Sequence, residues 1–389
     1  MRILIVHTFY KFSGGEDTVV LNEMKLLQNN GHQVELLPFD NNHLAFMKLV
    51  FLPFNIISSI QAKKKIRTFR PDVLHIHNLH FAASPSIIYA ADALKIPVVL
   101  TLHNYRFLCP SASLFFEGKI FIESITSGFP WKAVKRGVYK NSMILTFWIA
   151  CANYIHQKLN TYKKVNAFIV LGEHSRQLFA SSHFKVHPDK FIVKPNFMED
   201  VKSNPGNPED KYFLFVGRLT EEKGIKTLLN AFSNTSNKLK IVGSGPLEPI
   251  VLNALNDNHN IEFIGQQPYT KIAQLLADAE ALIFPSLWFE TFGMVLIEAF
   301  SKSTPVIASS LGNIKNIVIN GENGLTFEAG NCHDLKLKID HYLHLPSEIK
   351  ARYKKLARET YENKYSPLAN YKQLMKIYLD AISKHSYLR

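Results

Sequence analysis

Short, almost wholly apolar runs recur along this chain, and each is separated from the next by enough residues for one helix. Ile3–Val6, Val34–Leu37, Val73–Ile76, Val98–Leu102 and Ala167–Val170 are such runs. Between them lie helical patterns such as Asp17–Asn30, closed by Gly31, and Ser84–Leu94, closed before Pro97. A strand apolar at every position, not at alternate ones, is buried on both faces, and that is the mark of a parallel sheet covered by helices. A second alternation follows, with Tyr212–Val216, Leu239–Val242, Ile261–Ile264, Ala281–Phe284, Pro305–Ala308 and Leu325–Phe327 as its strands. The polar stretch Glu199–Lys211, EDVKSNPGNPEDK, divides the two. The expected class is α/β, with two doubly wound domains over residues 1–198 and 199–366, and a final helical segment over 367–389. A chain of 389 residues is long enough for two separate cores.

No apolar run approaches the roughly 20 residues that span a bilayer, and MRILIVHTFY reads as a first buried strand, not a secretory signal. Three scattered cysteines, Cys109, Cys151 and Cys332, suggest neither a disulfide framework nor a zinc site, and they suit a reducing cytoplasm. Lysine and arginine exceed the acidic residues by 13, an excess that invites anionic partners. The basic residues cluster beside apolar ones. Lys63, Lys64, Lys65, Arg67 and Arg70 follow Leu49–Ile60, while Lys132, Lys135, Arg136 and Lys140 precede Met143–Ala152, with Trp131, Phe147, Trp148 and Tyr154 among them. That mixture fits either half-buried helices with solvated faces or a surface resting on anionic lipid. No RNP-like or base-stacking module is visible, so nucleic acid is not an expected partner.

The chemistry concentrates in Pro285–Ala299, PSLWFETFGMVLIEA. ALIFP reads as a buried strand ending at Pro285, and Met294–Ser301 as the helix after it, with Gly293 at its start. Free amides at such a helix start suit an anion, here those around Phe292, Gly293 and Met294. Glu290 and Glu298 flank that start. The pattern places Glu290 at the mouth of the site and Glu298 further in, as acceptors for sugar hydroxyls. Two glutamates at this spacing are by themselves an ordinary solvated pair; the surrounding residues make the signal specific.

Further along the same edge, GRLTEEKG supplies Gly217, Arg218 and Lys223 after one strand, and GSGP supplies Gly243 and Gly245 after the next. Gly265 closes the third. Ligands of open α/β sheets bind outside the carboxyl ends of strands, where all of these fall. In the first half, Gly14 and Gly15 follow the first strand and His103 follows the fourth, within LTLHNYRFLCP.

The Glu-x7-Glu run, with GRLTEEKG and GSGP, resembles the retaining glycosyltransferases of the glycogen-synthase-like and mannosyltransferase-like superfamily, of the family 4 type. The resemblance implies the GT-B fold: two Rossmann-like domains with a cleft between them and a last helix, Pro367–Ser383, crossing back to the first. It implies a nucleotide-diphosphate sugar as donor substrate, no cofactor and no metal. It assigns Arg218, Lys223, Gly15 and the amides at Phe292, Gly293 and Met294 to the donor diphosphate. Glu298 goes to the ribose, and Gly217, Gly243, Gly245 and Gly265 go to the nucleotide. Glu290 and His103 become the catalytic pair beside the donor sugar, neither as nucleophile.

HNYRFLCP with Gly118 and Lys119 is similar to a bacterial surface-polysaccharide subgroup. This implies a glycan or polyprenyl-linked acceptor, and a cytoplasmic protein held at the inner face of the plasma membrane. The chain departs from the pattern in two places. Phe121 and Ser124 stand where that subgroup carries cysteines, and Asn313 and Asn316 stand in LGNIKNIV where relatives carry glycine and glutamate. The alternative readings are a sugar-nucleotide epimerase or a phosphorylase of the same architecture, or a non-catalytic carbohydrate-binding relative.

Overall fold

The computed structural model describes residues 1–9, 14–40, 52–201 and 211–387. Two compact units emerge. One comprises Met1–Leu114, Phe121–Asn196 and Asn370–Arg389; the other comprises Phe115–Ile120 and Phe197–Ala369.

The first unit is built on strands β1 (Arg2–Phe9), β2 (Gln33–Asp40), β3 (Val73–Ile76) and β4 (Val98–Leu102). A two-residue hairpin, β5 (Phe115–Phe116) and β6 (Lys119–Ile120), comes next in the chain and is grouped with the second unit. Then β7 (Ala167–Val170) and β8 (Phe191–Val193) complete the first sheet, in the order β2-β1-β3-β4-β7-β8. All its pairings are parallel, with Ile3 set between Val34 and Val73. One face packs Ile3, Ile5, Val73, Val99 and Ile169 against Val20 and Leu27 of the helix Gly15–Asn29. The same cluster takes Leu374, Ile377, Tyr378 and Ala381 from the last helix, Pro367–Tyr387. The chain therefore leaves this unit at Asn196 and returns to it at Asn370.

The second unit repeats the logic with β9 (Phe213–Val216), β10 (Leu239–Val242), β11 (Ile261–Gly265), β12 (Ala281–Phe284), β13 (Val306–Ser309) and β14 (Gly324–Phe327). The order is β11-β10-β9-β12-β13-β14, parallel throughout. Numbered within the unit this is 3-2-1-4-5-6, the doubly wound order whose direction of winding reverses between its first and fourth strands. Phe213, Phe215, Ile241 and Ile283 fill the space under the helix Ile225–Phe232 together with Leu228 and Phe232.

Among the strands, β8 and the two of the hairpin, β5 and β6, were absent from the sequence reading. Of the middle of the Glu199–Lys211 stretch, residues 202–210 lie outside the described residues, as do Tyr10–Ser13 of the first glycine loop.

Candidate active site

The reversal point of the second sheet lies between β9 and β12, and the chain emerging from each carries a charge. After β9 a short 3-10 turn, Glu221–Lys223, ends at Gly224 with φ +73°. A side chain there would run into the carbonyl oxygen of Pro285, since an added Cβ would sit 1.9 Å from it. That close approach presses the loop after β9 onto the loop after β12, and a backbone bond from Leu287 N–H to the Glu222 carbonyl, 2.8 Å, ties them. Lys223 is thereby delivered to Glu290, Nζ to Oε1 2.6 Å.

Glu290 is 5 % exposed. The Ser286 hydroxyl donates to the same Oε1 at 2.7 Å. Lys223 also lies 5.5 Å from the Trp288 ring centroid and 5.7 Å from that of Phe284, so the cation is walled by aromatic faces. Burial pulls the Glu290 carboxyl upward, but the Lys223 charge and the donors around it outweigh burial and hold it below the ordinary carboxylate value. Glu290 is thus an ionised, fixed acceptor.

Glu298 contrasts with it. It stands in the second turn of the helix Met294–Ser301 and is half-buried. Burial pushes its carboxyl up to about 7. The depths of the two acids are therefore the reverse of the sequence expectation. Glu290 is the more buried, because Lys223 and Ser286 draw it inward, and Glu298 is the more open.

Gly293 begins that helix with φ +90°, a left-handed value that suits glycine. Phe292 is buried with its ring edge toward Tyr365, so at this position any ligand contact falls to the backbone. Asn313, 1 % exposed, donates its amide to the carbonyls of Glu290 at 3.3 Å and Thr291 at 2.8 Å. The asparagine that departs from the family pattern thus ties down the loop carrying Glu290.

Arg218 follows β9 but turns outward, 67 % exposed at its side chain, with its guanidinium 3.3 Å from Glu222. Gly217, Gly243 and Gly265 form the adjacent edge. Gly217 N–H donates to the Val242 carbonyl and Gly243 N–H to the Gly265 carbonyl, both 3.0 Å. A Cβ on Gly243 would sit 1.8 Å from the Gly217 oxygen, and one on Gly245 2.6 Å from the Leu219 oxygen. The glycines are there because consecutive strand ends are laid backbone to backbone. Lys223 and Glu290 are thus in contact, with Gly217, Gly243, Gly245, Gly265, Gly293, Met294 and Glu298 on the carboxyl side of the same sheet, while Arg218 is held by Glu222.

The first unit carries the other two expected residues, Gly15 and His103. Gly15 opens the helix Gly15–Asn29 after Gly14. At that helix start Asp17 accepts from Gly14 N–H at 3.2 Å and from the His7 ring at 2.7 Å. His103, half-buried, follows β4; its Nε2 lies 2.9 Å from His77 Nδ1. Burial, reinforced by His77, holds His103 well below its ordinary value, so its ring is neutral. His77 is itself lowered to about 3, by burial first. Behind it Glu23 lies 3.2 Å from His77, 3.0 Å from His75 and 3.1 Å from Lys194. His75 also meets the Tyr378 hydroxyl at 2.7 Å and that of Thr101 at 2.8 Å.

Sequence reasoning missed this cluster. The available signal was VLHIHN, with two histidines two residues apart in an apolar strand and so on one side of it. The donor atoms of Glu23, His75 and His77 lie within 4.8 Å of one another, a spacing that a metal ion could bridge, and Lys194 already brings a positive charge to Glu23.

Comparison with known proteins matches both halves of the chain to family models. The family model described as Glycosyltransferase Family 4 matches residues 13–200, and that described as Glycosyl transferases group 1 matches residues 196–360. An uncharacterized glycosyltransferase of Methanocaldococcus jannaschii is 26 % identical over 87 % of this chain and 87 % of its own length. A 42.6 kDa protein from the cps region of Klebsiella pneumoniae, also uncharacterized, is 23 % identical over 82 % of this chain and 87 % of its own. Among solved structures, HepE of Anabaena in complex with UDP superposes with a TM-score of 0.67 at 15 % identity, covering 97 % of this chain and 99 % of that one.

Proposed function

The chain belongs to the family 4 glycosyltransferases of GT-B fold, and from that premise we propose that it transfers a sugar from a nucleotide-diphosphate sugar to a glycan or polyprenyl-linked acceptor, with retention of anomeric configuration and without a metal. The observation that carries the reading is the Lys223–Glu290 pair, 2.6 Å apart at the reversal point of the second sheet. A departing diphosphate needs positive charge that is already in place, and Lys223, Arg218 and the amides around Met294 supply it. Lys223 is held in place by Trp288, Phe284 and Glu290, so it has little distance to travel when that charge develops, although Glu290 offsets part of its own charge. Arg218 has further to travel, because it must exchange Glu222 for phosphate.

Glu290, kept ionised by Lys223, orients the hydroxyls of the donor sugar and stabilises positive character at its anomeric carbon. Glu298 accepts from the ribose hydroxyls, and Gly217, Gly243, Gly245 and Gly265 let the nucleotide lie against bare backbone. Gly15 offers its amide to the diphosphate. His103, neutral, serves as a hydrogen-bonding neighbour of the donor sugar and not as a proton carrier. The leaving phosphate oxygen takes the proton of the attacking acceptor hydroxyl. UDP bound to the Anabaena structure supports a nucleotide donor; the acceptor, a surface glycan or polyprenyl-linked oligosaccharide at the inner face of the plasma membrane, is the reading taken from the resemblance.

Glu290→Gln tests the reading. It keeps the shape of the side chain and removes its charge. Transfer to acceptor is expected to fall by at least about a hundredfold, with the UDP-induced rise in melting temperature retained. Near-normal transfer by this variant would discard the role of Glu290. Sugar-nucleotide conversion without any acceptor would point to epimerisation instead.

A further inference from the structure

A buried ring nitrogen needs a partner, and in and beside the apolar strand β3 this chain buries two histidines, His75 and His77. Two positions apart, they lie on one side of the chain and share a neighbour, Glu23 of the helix Gly15–Asn29. Glu23 is itself only 1 % exposed. Burial pulls its carboxyl upward, but Lys194, 3.1 Å from Oε2, and the two histidines outweigh burial and hold it well below its ordinary value. An ionised carboxylate can only accept. Its other oxygen, Oε1, faces His77 Nε2 at 3.2 Å and His75 Nδ1 at 3.0 Å.

A neutral imidazole carries one proton, and the partner of one nitrogen settles the state of the other. His77 is neutral, its value brought down to about 3 by burial first. With Nε2 turned to an anion, its proton belongs on Nε2; the opposite tautomer would set a lone pair against a buried negative charge. Nδ1 of His77 is then bare. His103 Nε2 lies 2.9 Å from it, with ring centroids 5.2 Å apart and planes 22° from parallel. The two rings therefore meet nearly edge to edge in one plane, the straight geometry of an N–H···N bond. That bond needs one proton, and His103 Nε2 must supply it. The neutral His103 ring is left with a bare Nδ1. Among the described residues no other group bonds to this half-buried ring. The remaining groups around His77 are engaged elsewhere. His7, with its ring centroid 6.5 Å away, is held by Asp17 at 2.7 Å, and His75 by the hydroxyls of Tyr378 and Thr101.

We propose that Glu23 and His77 are positioning residues that fix His103 as its Nε2–H tautomer, so that Nδ1 accepts a hydrogen bond from a hydroxyl of the donor sugar. The inference rests on the proposed place of His103 beside that sugar and adds the direction of the bond. The sugar must bring a donor to this point. A hydroxyl fits, whereas fluorine or a methoxy group in its place can only accept and meets a lone pair. No proton moves along the row: each ring keeps its own, and the anion at the far end sets the orientation of the last ring without touching substrate.

Labelling the histidines of the full-length protein with 15N and recording long-range 1H–15N correlations reads the tautomer directly. His103→Gln identifies the signals of that ring by their loss. With no donor present at neutral pH, wild-type His103 is expected to be protonated at Nε2 and bare at Nδ1. Among UDP-sugars, the one that raises the melting temperature most should shift Nδ1 and leave Nε2 protonated. His77→Phe keeps a ring but offers no acceptor, so His103 should populate both tautomers. Turnover should then fall about tenfold, the worth of one hydrogen bond, with the UDP-induced rise in melting temperature retained. His77→Gln returns an acceptor oxygen and should recover most of the ring pattern and the turnover, a rescue that a purely structural role would not give. Three results would overturn the proposal: wild-type His103 protonated at Nδ1, His77→Phe with tautomer and turnover unchanged, or an Nδ1 signal that ignores a bound UDP-sugar. The tautomer is read without substrate, so the expected pattern in a protein that transfers no sugar would support the roles of Glu23 and His77 while discarding the sugar-transfer reading.

Discussion

Two glutamates eight positions apart have been set to opposite protonation behaviour by their neighbours. Glu290 keeps its charge because Lys223 and Ser286 sit on one of its oxygens at 2.6 and 2.7 Å. Glu298 has only burial acting on it, and burial raises it from an ordinary 4.5 to about 7. An acid raised on folding favours the folded state while protonated. That contribution is whole below about pH 4 and is lost as the pH rises through about 7. On the proposed role, a ribose hydroxyl donating to Glu298 prefers the ionised form, and nucleotide binding then works in the other direction. UDP affinity is expected to fall by up to about tenfold per pH unit as the pH drops below 7, and binding near neutrality should release a proton from Glu298. Glu298→Gln should flatten that part of the profile, leaving only the titration of the nucleotide phosphate. Calorimetry in two buffers of different ionisation enthalpy measures the released proton directly. An unchanged profile in the variant would remove Glu298 from the ribose.

At the scale of elements, the loop after β12 shows what sequence could and could not disclose. The strand Ala281–Phe284 and the helix Met294–Ser301 are legible to the residue, because an apolar run ends at a proline and a glycine precedes an amphipathic turn. The depth of Glu290 was not legible, since it depends on Lys223 from another loop, 67 positions away. Asn313 was read only as a departure from a pattern; its two bonds to the Glu290–Thr291 backbone are long-range and leave no periodic trace. Similarly, β8 is three residues long with only Phe191 buried, too short for any pattern to register. The hairpin of β5 and β6 did carry a signal in Glu117-Gly118, whose φ values of +50° and +73° make the tight turn that twisted strands prefer. Asn313→Ala tests the tie. It leaves two carbonyls of the loop without that donor and should lower stability by about 1–3 kcal/mol. Transfer should fall more steeply than UDP affinity, because Glu290 loses its position and Lys223 keeps its own. Urea unfolding and kinetics read the two effects separately, and a variant with unchanged turnover would show that the loop is held without Asn313.

For the molecule as a whole, the informative feature is that the chain ends in the unit where it began. Leu374, Ile377, Tyr378 and Ala381 are buried in the first core beside Ile3, Val73 and Val99. The same helix seals polar groups as well. Asn370 donates to the Pro195 carbonyl at 2.8 Å, and the Tyr378 hydroxyl meets His75, a member of the cluster behind His103. Full burial of each large apolar side chain contributes about 1.5–3 kcal/mol, and the net stability of a domain is only about 5–15 kcal/mol. Deleting residues 367–389 should therefore unfold the first unit and leave the second, whose core of Phe213, Ile241 and Ile283 takes nothing from that helix. Hydrogen exchange resolves this by element: amides of β1, β3 and β4 should lose protection on truncation while those of β9, β10 and β12 keep theirs. Tyr378→Phe is the gentler probe. It removes one hydroxyl from the buried His75 and should cost about 1–3 kcal/mol without exposing the core. Undiminished protection of β1 and β3 in the truncated chain would show that the closing helix is dispensable to the core it completes.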